Sequence, residues 1–515
     1  MVTADGPKSL FRRRATRRAV LGGSLAAGSV AVAYAALGGE LGPLGSKDDP
    51  ARGDTDAIKS ESVRVSHLLR RAGFGVTQAE HDRYQSMGLH ATLDELVNFT
   101  KVEDTEAERL AAAVPVGQAN RRNPTLWWLV RIANTKRPLQ EKMTFFWHGL
   151  LTSQLSVVRD PEAMIAQNEF FREHAFDTFP SILRGVSADR AMMVYLNVAG
   201  SQREAPNENY ARELMELYSL GVGNYTEQDV REAARAFTGW QVPQERLAAG
   251  VINLQEPVFR PARFDNGIKT FLGQSGNFRP DDIVDIITQQ PASAQYITRR
   301  LFAFFIYPDP SDKDLQPFVD VYNKSDRSVG AVVEAMLRSD AFYSPRAYRS
   351  IVKSPTEYAI SAIKALGLQE TVGQLAGGGP YGGGRGGGAN ALRDMGQVLF
   401  EPPNVAGWPG GPSWLNSTTV FARLNYLNQV TGGAPAPRTN ARNAPPPVPA
   451  ATGVELGTPA AALAHYLPLI VDDNVPADAR QVLLDYSGGP DVLLSPEQLR
   501  GLVYLILGSP QFHLS

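Results

Sequence analysis

Apolar residues in this chain recur mainly at helical spacing, and the punctuation between them is that of helix ends. Ser354-Pro355-Thr356-Glu357 is a capping box with proline at the first helical position. Tyr358, Ile360, Ile363 and Leu366 follow it, and Gly367 stands where the helix stops. Ser495-Pro496-Glu497-Gln498 repeats the arrangement ahead of an apolar run to Leu507. Thr226 with Asp229, Asp160-Pro161 and Arg137-Pro138 mark further starts. Strictly alternating apolar and polar runs are scarce, so the pattern predicts a mainly α, multi-helical body. The exception is 241–275, where Val251-Ile252-Asn253-Leu254 and Val258-Phe259 sit among Pro and Gly and predict a small β-hairpin. Two stretches read as long loops: the glycine-rich 377–388 and the Pro/Ala-rich linker 432–457. The expected organisation is a linker at 36–60, a helical main body over 61–430 and a C-terminal helical segment at 458–515.

Residues 1–35 break the pattern. Lys8, Arg12, Arg13, Arg14, Arg17 and Arg18 precede a small, weakly apolar run from Ala19 to Leu37, and Thr16-Arg17-Arg18-Ala19-Val20-Leu21 resembles a twin-arginine export motif. Ala33-Tyr34-Ala35 offers a cleavage site, which predicts an exported protein, periplasmic or extracellular, beginning at Ala36. If the segment stays uncleaved it is long enough to anchor the protein in a membrane. No later segment is apolar enough to span one.

Composition changes the picture mostly by exclusion. The 515 residues contain no cysteine, which removes disulfides, thiolate metal sites and cysteine nucleophiles. Cleavage removes six basic residues and one acidic, taking 51 basic and 53 acidic residues to 45 and 52, a charge of −7. That balance gives no electrostatic basis for nucleic-acid binding. A nucleotide-binding glycine loop, a nucleophile elbow and a two-histidine zinc helix are all absent from the sequence.

Candidate chemistry concentrates in two segments. From Asn207, a step of about 100° per residue puts Tyr210, Ala211, Leu214, Met215, Leu217 and Tyr218 on one helix face. Asn209, Glu213 and Glu216 then share a polar neighbourhood able to bring two carboxylates to one metal or one proton-transfer site. The competing reading is a solvated Glu208–Arg212–Glu216 ladder. A second helix from Glu227 to Thr238 presents Arg231 and Arg235, and antiparallel packing would bring Arg235 towards Glu213 or Glu216. Upstream, Glu141 and His148 lie on one helix from Pro138, beside a Met143, Phe146, Trp147 stripe. His148 oriented by Glu141 would serve as ligand or base, and a hydrogen-bonded core histidine is the alternative. Trp408 and Trp414 flank Pro409-Gly410-Gly411-Pro412, a rigid turn that either presents an aromatic platform or packs on the body.

These segments, with Ala236-Phe237-Thr238-Gly239-Trp240, Lys269-Thr270-Phe271-Leu272-Gly273 and Pro402-Pro403-Asn404-Val405-Ala406-Gly407-Trp408-Pro409, resemble the motif series of the bacterial exported family catalogued as domain of unknown function 1800. The resemblance starts at His67-Leu68-Leu69-Arg70-Arg71 and runs to the end of the chain. It implies an exported, predominantly helical protein with no established reaction, partnered by an exported protein of sulfatase- or phosphatase-like fold. Many members carry histidine where this chain has Tyr218 and Phe264, which weighs against a metal site at those positions, while Asp265, Gly267 and Lys269 remain. The resulting expectation is an extracytoplasmic hydrolase in which His148, Glu141, Glu213 and Glu216 converge on one pocket. Arg235 compensates their charge, Asp265 and Lys269 sit near the rim, and any cation is held mainly by oxygen. A non-catalytic binding or assembly protein using the Trp408 loop, and a helical scaffold using neither, are the alternatives.

Overall fold

The computed structural model describes residues 50–114, 123–247, 252–369, 388–432 and 457–515. The twin-arginine segment, the cleavage site, most of the 36–60 linker, the glycine tract up to residue 387 and the linker 433–456 lie outside the described residues.

The fold is mainly α, and its helices begin where the capping signals place them. Ser354 accepts from the Glu357 backbone N–H and Glu357 caps Ser354 in return, opening Pro355–Ala365. Thr226 and Asp229 do the same for Glu227–Ala236, as Ser495 and Gln498 do for Pro496–Leu507. Gly367 follows its helix at φ +67°, the left-handed geometry that ends a helix at least strain on glycine. Among the described residues the strands form three short antiparallel pairs: Trp240–Gln241 with Val258–Phe259, Gln244–Arg246 with Ile252–Leu254, and Lys269–Phe271 with Gln274–Gly276.

Two large apolar cores lie side by side. One gathers Leu68, Met143, Trp147, Leu214, Phe237, Leu301 and Met336. The other packs Pro124–Asn134 and Pro355–Ala365 against the C-terminal helices Pro459–Val471 and Pro496–Leu507. Helix Pro138–Leu150 runs between them, giving Met143, Phe146 and Trp147 to the first and Phe145 to the second. It therefore has no solvated face. Glu141, Lys142, Thr144 and His148 are all buried, and each polar group on this helix must be satisfied inside the protein.

Candidate functional site

Glu141 is 1% exposed and fully engaged. Its Oε1 accepts from Arg131 Nε at 3.0 Å and Arg172 Nε at 2.5 Å; its Oε2 accepts from Trp128 Nε1 at 2.9 Å and Arg172 Nη2 at 3.2 Å. Burial pushes this carboxyl up, but Arg172, Arg131 and the Trp128 donor outweigh it and hold the group below the usual carboxylate range. A carboxylate saturated in this way is structural, and it does not orient His148.

His148 is buried too, with burial lowering it to about 3, so the ring is neutral. Its Nε2 accepts the Phe400 backbone N–H at 3.0 Å, which assigns the ring proton to Nδ1. The ring packs edge-on to Trp128 at 4.9 Å and against Phe400 and Trp408 at 4.9 and 5.6 Å. With Nε2 engaged, the role it performs is to anchor the loop that begins at Phe400. Phe400 itself sits at φ +66°, an unusual conformation for an aromatic residue, and the bond to His148 helps hold it there. The same loop returns over the end of the His148 helix. Thr152 Oγ1 donates to the Val405 carbonyl at 2.7 Å, and a Cβ on Gly407 would come within 2.4 Å of the Gly149 carbonyl.

Arg235 does not reach the glutamates. It forms a bidentate pair with Asp265, Nε to Oδ2 at 2.7 Å and Nη2 to Oδ1 at 3.1 Å, and Nη1 donates to Glu232 at 2.8 Å. Lys269 Nζ donates to the Asp265 and Gly267 carbonyls at 2.7 and 3.1 Å. Arg235, Asp265 and Lys269 thus form a separate knot fastening the hairpin at 269–276 to helix Glu227–Ala236. The two helices do meet, but through Arg212, whose Nη1 and Nη2 reach Glu227 at 2.6 and 2.9 Å. The register follows from the chain itself: Asn209–Glu213 continues into a π-helical turn over Leu214–Ser219, with Leu220 N–H bonding back to the Met215 carbonyl.

Glu213 and Glu216 stand at that π turn. Glu216 accepts from the Tyr225 hydroxyl at 2.9 Å. Glu213 is half-buried and makes no hydrogen bond or ion pair among the described residues, and burial followed by the Glu216 charge raises its pKa. Close by, the Tyr218 hydroxyl is fully buried and makes no well-formed hydrogen bond among the described residues, with Thr152 its nearest polar neighbour and Glu213 and Tyr195 within electrostatic reach. Tyr195 is half-buried and feels both Glu213 and Glu401. Asn209 lies exposed one turn before Glu213. Glu213, Tyr218 and Tyr195 therefore form a carboxyl–phenol cluster, walled by Thr152 and so joined to the His148 loop. Trp408 is half-buried over His148, whereas Trp414 is 6% exposed and belongs to a small core with Ala51, Val352 and Leu514.

No direct hydrogen bond or ion pair joins Glu141 or His148 to Glu213 or Glu216 among the described residues. Glu141 and His148 share Trp128 as neighbour, while Glu213 and Glu216 are each other's charged neighbours at the π turn. Among the described residues no group of three or more His, Asp or Glu is placed to hold a metal ion, so the oxygen-rich cation site finds no ligand set there. Tyr195, Thr152, Arg131 and Arg172 carried no motif signal. A π turn adds a residue to a helical turn without any sequence mark of its own.

The architecture defines a class first: a mainly helical protein with two packed cores, its motif-bearing segments knotted by buried ion pairs. More particularly, the chain belongs to the family described as "Protein of unknown function (DUF1800)", which matches residues 67–514. No curated protein and no solved structure matches it.

Proposed function

We propose that the protein is an exported hydrolase whose acid–base group is Glu213. The observation that supports this is a half-buried carboxyl with a raised pKa and no hydrogen bond or ion pair among the described residues, next to a buried phenol whose nearest polar neighbour is Thr152. Proton transfer near neutral pH is best served by a carboxyl shifted upward, and burial beside Glu216 supplies that shift. Tyr218 and Tyr195 would donate hydrogen bonds to charge developing on the substrate. Glu216, tied to Tyr225, keeps Glu213 protonated over a wider range.

Chromogenic ester, phosphate and glycoside substrates test the reading. Turnover of any of them should fall by about 100-fold or more in Glu213→Gln, within the usual general acid–base contribution, with folding unchanged. Turnover equal to wild type, or none with any class, counts against it. A second reading, an assembly protein for another exported protein, draws on the half-exposed Trp408 above the rigid 409–412 turn. It expects Trp408→Ala to lose partner binding while Glu213→Gln keeps it. Export itself rests on Arg17 and Arg18, and replacing both with lysine should leave precursor in the cytoplasm. Among the described residues no helix is long and apolar enough to cross a membrane.

A further inference from the structure

Away from Glu213, positive charge is buried in excess. Arg52, Arg71, Arg349, Arg423 and Lys353 are each at most 3% exposed, and the Arg70 side chain 11%. The arginines end mostly on carbonyls: Arg71 Nη2 on Ala347 at 2.6 Å, Arg349 Nη2 on Val471 at 2.6 Å, Arg423 Nη2 on Lys353 at 2.8 Å. Of the neighbouring acids, Asp472 pairs with Arg70 and lies 3.7 Å from Arg349, and Glu357 pairs with Lys142.

Two groups remain unanswered. Lys353 Nζ lies 3.9 Å over the Phe512 ring and has no hydrogen-bond acceptor among the described residues. Arg70 spends only Nη1 on Asp472, and its buried Nε and Nη2 have no hydrogen-bond partner among the described residues. Both side chains line a cavity of about 20 Å³, with the Ser66 and Ser361 hydroxyls on its wall. This small chamber shares Leu69, Gly75 and Val76 with a second cavity of about 350 Å³, whose wall adds Ala72, Leu96 and Pro138. The charges bordering the larger chamber are mostly paired already, Arg83 with Glu95 and Lys364 with Glu80.

We propose that the two chambers form one binding site for a small organic carboxylate, with the carboxylate between Arg70 and Lys353 and an apolar body in the larger cavity. A buried ammonium without an acceptor is costly, and an anion beside it removes that cost. The inner volume is that of about one water-sized group. It has room for a single oxygen of a carboxylate, with the rest of the group lying at the Leu69, Gly75 and Val76 wall that the two chambers share. The outer volume falls within the roughly 300–1,000 Å³ typical of small-molecule sites. Burial and the nearby Arg70 charge push the Lys353 ammonium well down, so a bound anion would also restore its charged form.

Isothermal titration of the full chain with sodium hexanoate, hexan-1-ol and sodium bromide tests the proposal. Hexanoate should bind one to one and at least 10-fold more tightly than hexanol, and Lys353→Met should remove that preference. Equal binding of hexanoate and hexanol, or binding of neither, overturns the site. Binding of bromide without hexanoate would make the inner chamber a simple halide site and overturns the carboxylate assignment. Should Lys353→Met fail to fold, Val76→Phe narrows the outer chamber and must weaken hexanoate on its own; undiminished binding there also counts against the proposal. Glu213→Gln should bind hexanoate as wild type does, so this test stands apart from the hydrolase reading.

Discussion

Glu141 and Glu213 are the same residue type, both on helices and both within motif segments, yet the protein uses them in opposite ways. Glu141 is enclosed by two guanidiniums and an indole N–H, and its charge is fixed. Glu213 has Glu216 for a neighbour and no donor, and its charge is discouraged. Saturation turns a buried carboxylate into scaffold. Only the carboxylate left incomplete keeps a proton to exchange.

The sharpest way to break this contrast is pH. The His148 ring anchoring the neighbouring loop is held neutral down to about 3, against an ordinary 6.5, so the unfolded chain takes up a proton that the folded one refuses. Stability should fall by about 1.4 kcal/mol for each pH unit below 6.5 from this residue alone. His67 and His513, also lowered by burial, act in the same direction. In urea titrations between pH 6.5 and 5, His148→Gln should therefore lose less stability on acidification than wild type, by up to about 1.4 kcal/mol per pH unit. An unchanged slope contradicts the neutral, Nδ1-protonated assignment.

At a single pH the largest loss is that of Glu141. Glu141→Ala takes from buried Arg131 and Arg172 the one fully buried carboxylate they share, leaving them the half-exposed Glu169 as common partner, and should cost about 3–5 kcal/mol in chemical denaturation, whereas Glu213→Gln should lie within about 0.5 kcal/mol of wild type. Comparable losses from the two would erase the distinction between scaffold and site. Arg235→Ala comes lower. Its pair with Asp265 is partly exposed, so a cost of about 1 kcal/mol or less is expected, with no effect on any Glu213-dependent turnover.

The smallest effect is the one that tells the two carboxylates apart by sign. Glu141 lies below its ordinary value, so its contribution is present above the unfolded pKa and is lost as pH falls through the folded one. Glu213 lies above, so its contribution is present below the unfolded pKa and is lost as pH rises through the folded one. Difference titrations of Glu213→Gln against wild type should show wild type gaining relative stability on acidification. The reverse sign would mean that Glu213 has an ion-pair partner after all.

Helix positions were legible in the chain because caps are local: Ser354 with Glu357 and Thr226 with Asp229 need only three residues of sequence to declare themselves. The mainly α class and the family membership follow from equally local periodicity and motif order, as do the two β runs near 251–259, but not their partners, since Ile252–Leu254 pairs with Gln244–Arg246 and Val258–Phe259 with Trp240–Gln241 rather than with each other. The candidate site was legible only as residue types. Asn209, Glu213 and Glu216 could be placed on one helix surface, and Glu141 and His148 on another. Which carboxylate would be quenched depended on Arg131, Trp128 and Arg172 arriving from two other helices, and on Phe400, about 250 positions away, donating to His148. The π turn rotated Glu216 towards Tyr225, and Asp265 claimed Arg235. Hydrogen-bond saturation is a property of neighbours in space, and a side chain's own sequence surroundings carry no record of how many donors the fold will bring to it.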